Sequence, residues 1–352
     1  MGQNGCSRCE QGGNDAPGEL FGRKASYAMR GIAILMVMAS HYGEWYAAWI
    51  GIPALTQFLM GLGRYGVDIF FLMSGYAMAK NTAGERPGAA FWLKRLRGTY
   101  LPYLILAGII EIAAGGAFSP ARLIRYLLAQ DYWFIFDIMV FYLAFFLSFQ
   151  CKRLRITVLL LFTVIFSAWL YGMGRQDFWY VSNLAFPLGA ACGLYEKRLL
   201  AWMKEIRPWP ELACTLFCVV LVPAAMRERA MLLQTGGKGR LQMMANTLFS
   251  LWAALLPWFG KTGASAVCRR AFAGLPGRTA GGILRFFGKN SLYLYLLHAF
   301  LYYQIASRAN LGTVGGFAAA FGSAVLCAWM FSLIWGAVTA NMSAVGKKGG
   351  KK

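Results

Sequence analysis

The sequence predicts an all-α protein, a polytopic transmembrane helical bundle of about ten transmembrane helices. Three observations predict it. Of the 352 residues, 58% are hydrophobic and only 14% are charged, where a soluble domain carries about 25% charged residues. A single soluble core cannot hide that much apolar surface in a chain of this length, and a bilayer gives it a second place to go. The apolar residues fall in runs of the length a helix needs to cross a hydrocarbon core. The basic residues cluster between those runs, which is how helices are oriented in a membrane.

The runs lie near residues 27–48, 58–79, 99–118, 132–150, 155–173, 178–195, 211–226, 241–260, 290–307 and 313–341. The polar, Gly-rich residues before the first do not read as a cleavable signal peptide, so that run is expected to serve as both insertion signal and permanent helix. The seventh is short and holds Pro223, and the tenth is long enough to tilt or to extend past the membrane. With the amino terminus in the cytoplasm, the inside segments collect 25 basic residues and the outside segments 8. The positive-inside rule therefore puts both termini in the cytoplasm. The loop at 227–240 opposes this, with Arg227, Arg229, Lys238 and Arg240 outside. If the seventh run did not cross, everything after it would invert. The chain divides into a cytoplasmic amino-terminal tail (1–25), a transmembrane domain (26–341) and a basic cytoplasmic carboxyl-terminal tail (342–352). The stretch 261–280 reads as a polar, basic cytoplasmic loop.

The net charge of +21 does not indicate nucleic acid, because the cations sit in short clusters between apolar runs and not along one face of a soluble domain. Of the eight cysteines, most lie in or beside apolar runs, where a thiol packs as a small hydrophobe. Cys6 and Cys9 have a ligand-like spacing but no second pair, so neither a metal site nor a disulfide framework is expected.

Ionisable groups inside a membrane are costly, by about 2.5–3.5 kcal/mol each on insertion scales, and mark functional positions by default. Both histidines of the chain, His41 and His298, fall inside predicted spans. In the first span, Arg30 stands at the cytoplasmic end and His41 lies eleven residues on, about 16 Å along a helix and close to three full turns. Arg30, His41 and Glu44 therefore share one face. The cation suits a phosphate or carboxylate, the imidazole can take a proton from a hydroxyl, and the carboxylate can orient the imidazole or bind a polar acceptor. In the second span Asp68 is a membrane carboxylate, and Arg64, four residues earlier, can pair with it. Ser74-Gly75 is a small-residue pair with no nucleophile elbow around it. Lys94, Arg95 and Arg97 form a cytoplasmic cluster suited to the phosphates of a nucleotide-bearing donor, and equally to topology and anionic lipid. Glu111 and Asp137 are further membrane acids, and Trp133 opens the fourth span at an interface position. In the ninth span Tyr295 and Tyr302 share the face of His298, which leaves a catalytic group, a substrate contact and a helix–helix hydrogen bond all open.

These segments, in this order, resemble the acyltransferase 3 family of integral membrane acyltransferases. RGIAILMVMASHY matches the family's arginine, ten residues, histidine signature through Arg30 and His41. YGVDIFFLMSGY matches its second motif through Gly66, Asp68, Phe70, Phe71, Ser74 and Gly75, and GKNSLYLYLLH its late motif through Gly288, Ser291, Tyr295 and His298. YWFIFDIMVFYL and FPLGAACGLY add to the likeness. The family's paired arginines are represented by Lys94 and Arg97, with Pro102 further downstream than usual, so Arg95 and Arg97 both compete for the second role.

The resemblance implies an enzyme that moves an acyl group, commonly acetyl, from acyl-CoA to a hydroxyl of a cell-surface or exported carbohydrate or glycolipid. It implies a bacterial plasma membrane, acyl-CoA as co-substrate and no permanently bound cofactor. It makes Arg30 and His41 essential. The residues of the first span themselves suggest that His41 acts as general base on the acceptor hydroxyl or takes the acyl group itself, with Asp68 or Glu44 orienting it or stabilising the imidazolium. Donor and substrate contacts are then expected from Lys94, Arg95, Arg97, Ser74, Trp133, Tyr295 and His298. The alternative is a secondary transporter or flippase for a polar metabolite or lipid-linked sugar, with the same charged groups as proton relay or binding site.

Overall fold

The computed structural model describes residues 19–46, 50–82, 85–115, 119–205, 209–235, 240–259, 277–308 and 314–349. The Cys6–Cys9 pair, most of the amino-terminal tail, most of the 261–280 loop and the last lysines lie outside the described residues. Among the described residues all regular structure is helical, with no strand. In chain order the helices are α1 (Arg23–Trp45), α2 (Pro53–Thr82), α3 (Ala89–Arg95) and α4 (Leu101–Ala113), the last two joined by a π turn at Leu96–Tyr100. Then come α5 (Pro120–Leu127), α6 (Trp133–Ser148), α7 (Arg155–Gly172), a 3-10 turn (Asp177–Trp179), α8 (Ala185–Leu194) and α9 (Glu196–Glu205). The chain continues through α10 (Trp209–Thr235), α11 (Arg240–Phe259), α12 (Gly277–Lys289), α13 (Ser291–Arg308) and α14 (Val314–Gly349).

Each predicted run holds a helix, with three departures. The sixth run is not one helix: the chain turns at Asp177–Trp179 and becomes α-helical only at Ala185. Pro187 sits in the first turn of α8, where its missing N–H costs nothing, but its ring bars the helix from extending back through Asn183. The third run begins earlier than expected, because α3, the π turn and α4 form one continuous stretch, Ala89–Ala113. The seventh runs on through Pro223 to Thr235, so much of the expected 227–240 loop is helix.

By length and composition, three stretches among the described residues are long and apolar enough to cross a membrane: Ala89–Ala113, Arg155–Gly172 and Gly315–Met342. They face outward. Ile105, Ile109 and Ile112 form an exposed stripe on α4, Leu161, Ile165 and Trp169 one on α7, and Leu326, Met330 and Leu333 one on α14. Apolar stripes at helical spacing on the outside of a bundle require an apolar solvent. α1 and α2 fall short of that composition because of polar and charged groups along them, of which Arg30, His41, Glu44 and Arg64 line cavities and Asp68 lies inside the bundle.

The centre of the bundle is α2, packed against α1, α8 and α11. It crosses α8 where Gly75 meets the Phe186 carbonyl and Gly189 meets the Leu72 carbonyl, and a Cβ at either glycine would fall inside the carbonyl oxygen. Small residues let membrane helices approach this closely. Phe71 stacks on Phe134 and Phe141 on Phe186, with Phe71 edge-on to Phe141, around that crossing.

Candidate active site

The site begins with one turn of α1. Val37, Ser40, His41 and Glu44 lie on one helical stripe and line a cavity of about 380 Å³. α2 closes it with Met60, Gly63, Arg64 and Val67, and Trp133, Gln176, Phe178, Ser182 and Tyr295 complete the wall. His41 Nδ1 lies 3.3 Å from Glu44 Oε2. In the arrangement with an ionised Glu44 and a neutral ring, Nδ1 donates to the carboxylate and Nε2 keeps its lone pair. The ring is stacked on Trp45 at 4.9 Å between centroids and tilted against His298 at 5.0 Å. It is thus held from two sides while remaining about one-third exposed toward the cavity.

His298 is buried. Its Nδ1 donates to the Leu294 carbonyl at 2.9 Å, and its Nε2 has no hydrogen-bond partner among the described residues. Among the described residues, each histidine has one ring nitrogen hydrogen-bonded and one without a partner.

A second cavity, of about 280 Å³, lies toward the amino-terminal end of α1. Arg30, Ser74, Lys94, Arg95, Tyr142 and Ser291 are among its lining. Arg95 stacks on Phe91 and Tyr142, at 5.6 and 5.5 Å from the ring centroids. Arg97 does not line this cavity. Tyr295 lines both cavities. On α2 the His41 cavity has Val67 and the Arg30 cavity Phe70, one turn apart, and on α6 the His41 cavity has Trp133 and the Arg30 cavity Phe134. The septum between them is therefore a single layer of rings: Phe70 against Phe134 at 5.7 Å, and Phe134 against Tyr295 at 5.0 Å.

The structure thus brings His41, Glu44, Trp133, Tyr295 and His298 together, and gathers Arg30, Ser74, Lys94 and Arg95 separately. Asp68 joins neither cavity. It is fully buried, and its Oδ2 accepts from Asn246 Nδ2 at 2.7 Å in a network with Ser182, Gln242 and Tyr65. The expected Arg64–Asp68 pair is not formed. Arg64 Nη2 bonds Asp177 Oδ1 at 2.7 Å, tying α2 to the 3-10 turn. Helical spacing placed Arg64 and Asp68 one turn apart, but the loop brought a carboxylate to the guanidinium first. Asp137 is fully buried with both carboxylate oxygens unmatched among the described residues, and Glu111 pairs with Arg122 at 3.6 Å. Ser40 lies on the His41 stripe, whereas Gln176, Phe178 and Ser182 reach the site from the 3-10 turn and the broken start of the sixth run, which hydropathy presents as one helix. Among the described residues no group of histidine, cysteine and carboxylate side chains is arranged to hold a metal.

Comparison with known proteins gives one family and no individual relative. A family model described as an acyltransferase domain matches residues 26–333. Searches among curated proteins and among solved structures found no match. The match runs from Ser26 in α1 to Leu333 in α14 and takes in every residue of the two cavities. The outward apolar stripes and the length of this match make the chain a membrane protein, a member of the acyltransferase 3 family.

Proposed function

We propose that the protein is an O-acyltransferase that moves an acyl group, acetyl in the first instance, from acyl-CoA to a hydroxyl of a cell-surface or exported carbohydrate. The observation that carries this reading is the pair of cavities meeting at Tyr295, one cationic and one built around His41. The donor's thioester end enters the cavity of Arg30, Lys94 and Arg95 from the cytoplasm. The acceptor hydroxyl occupies the cavity of His41 and Glu44 from the other face.

His41 Nε2 takes the proton of the acceptor hydroxyl as its oxygen attacks the thioester carbonyl carbon. The new carbon–oxygen bond forms, the carbon–sulfur bond breaks, and the proton passes from His41 to the departing CoA thiolate. Glu44 holds the ring through Nδ1 and offsets the charge of the transient imidazolium. The placement of Asp68 supports a scaffold role for that carboxylate, leaving Glu44 as the orienting group. Trp133 and Tyr295 offer aromatic faces to a sugar ring.

CoA-thiol release from acetyl-CoA by purified protein in nanodiscs, with crude cell-envelope glycans as acceptor, tests the proposal. Wild type releases thiol, His41→Ala lowers the rate at least about a hundredfold, and Arg30→Ala chiefly raises KM for the donor. Full turnover by His41→Ala would refute the scheme. Two cavities meeting at a septum also suit a secondary transporter, which predicts substrate movement with no thiol release by folded wild type.

A further inference from the structure

A third cavity lies outside the site just described. It measures about 580 Å³ and is lined by Lys80, Lys152, Arg153, Arg155, Lys197 and Arg198, with Tyr195 and Glu196. Three separated stretches of chain supply those cations: the carboxyl end of α2, the α6–α7 connection and the start of α9. Its one carboxylate is already engaged. Glu196 accepts from the Leu20 amide at 2.7 Å, from Lys80 at 3.3 Å and from the Tyr76 hydroxyl. Lys152, Arg153, Lys197 and Arg198 form no ion pair with any described residue. Positive-inside topology requires cations at these helix ends, but it does not require them to converge on one concavity. α7 and α9 also begin here, and the first amides of both helices have no partner within the helix.

The position of this cavity relates it to the other two. α2 lines all three in series: Ala79 and Lys80 here, Phe70, Ser74 and Ala77 in the Arg30 cavity, and Met60, Gly63, Arg64 and Val67 in the His41 cavity. From Lys80 to Val67 is about 20 Å along a helix, comparable to an extended pantetheine arm. We infer that the basic cavity binds the phosphorylated nucleotide of the acyl-CoA donor, with the pantetheine arm running along α2 so that the thioester passes the Arg30 cavity and reaches the septum before His41. Lys80 is already paired with Glu19 and Glu196; the 3′-phosphate and the diphosphate supply the clustered negative charge that Lys152, Arg153, Lys197 and Arg198 lack, and Tyr195, about half exposed, offers a ring to the adenine. This inference rests on the acyltransferase reading and adds where the donor is held.

The test uses the full chain in nanodiscs and two double variants on exposed side chains, Lys152→Gln with Arg153→Gln, and Lys197→Gln with Arg198→Gln. Calorimetry with adenosine 3′,5′-bisphosphate is expected to show binding by wild type, weakened about tenfold in each double variant. The kcat/KM ratio of acetyl-CoA over acetyl-pantetheine, which lacks the nucleotide, is expected to fall by a similar factor. Unchanged bisphosphate binding in both variants, or an unchanged ratio, would overturn the inference. So would loss of cardiolipin binding in native mass spectrometry with the nucleotide affinity intact, which would assign the cavity to a lipid headgroup. Wild type that binds the bisphosphate through these residues yet releases no thiol would uphold the site and remove the acyltransferase reading. Thiol release with both readouts unmoved would do the reverse.

Discussion

His41 has one ring nitrogen committed to Glu44 and the other free in a cavity, and that asymmetry is what a general base needs. Glu44→Gln keeps the size and removes the charge. It is expected to lower kcat about tenfold or more while leaving the donor KM near wild type, measured by steady-state thiol release. His298 is a second imidazole 5.0 Å away, centroid to centroid, with an unmatched buried nitrogen. Replacing it by phenylalanine preserves the packing against Tyr295 and Tyr302 but removes the acceptor. A loss of turnover in a variant with wild-type melting behaviour would place His298 in the chemistry, and full turnover would confine it to packing. The septum gives a third residue-scale expectation. Phe134→Ala opens the ring layer between the cavities, so the kcat/KM ratio of hexanoyl-CoA to acetyl-CoA should rise. No change in the ratio would mean that the layer does not select the acyl group.

At the scale of elements, the arrangement depends on how closely α2 approaches its neighbours. Gly75 and Gly189 allow α2 and α8 to cross with backbone nearly touching backbone. Gly75→Ala is expected to cost about 1–3 kcal/mol by overpacking, seen as a lower melting temperature, with loss of activity following the loss of fold. Much of this scale was legible in the sequence. The apolar runs gave the helices, and the Arg30–His41–Glu44 spacing gave the stripe, because both depend on local periodicity alone. What was not legible depends on long-range partners. Arg64 found Asp177, 113 residues away, in place of Asp68 on its own helix. The sixth run looked continuous by hydropathy and is broken, because hydropathy does not register the steric demand of Pro187. The separation of Arg30 and His41 into two cavities likewise arises from the rings of Phe70, Phe134 and Tyr295, which come from three different helices.

At the scale of the whole molecule, three cavities lie in series along α2, from a cationic mouth through an aromatic layer to an imidazole. On the proposed function, this series keeps the donor on one side of a bilayer and the acceptor on the other. The most direct measurement reconstitutes the protein in liposomes with radiolabelled acetyl-CoA on one side and envelope glycan trapped on the other. The account predicts that the acetyl label appears on the trapped glycan in step with thiol release on the donor side, and that His41→Ala abolishes both. Label that crosses as intact acetyl-CoA or as free acetate, with or without His41, would contradict it.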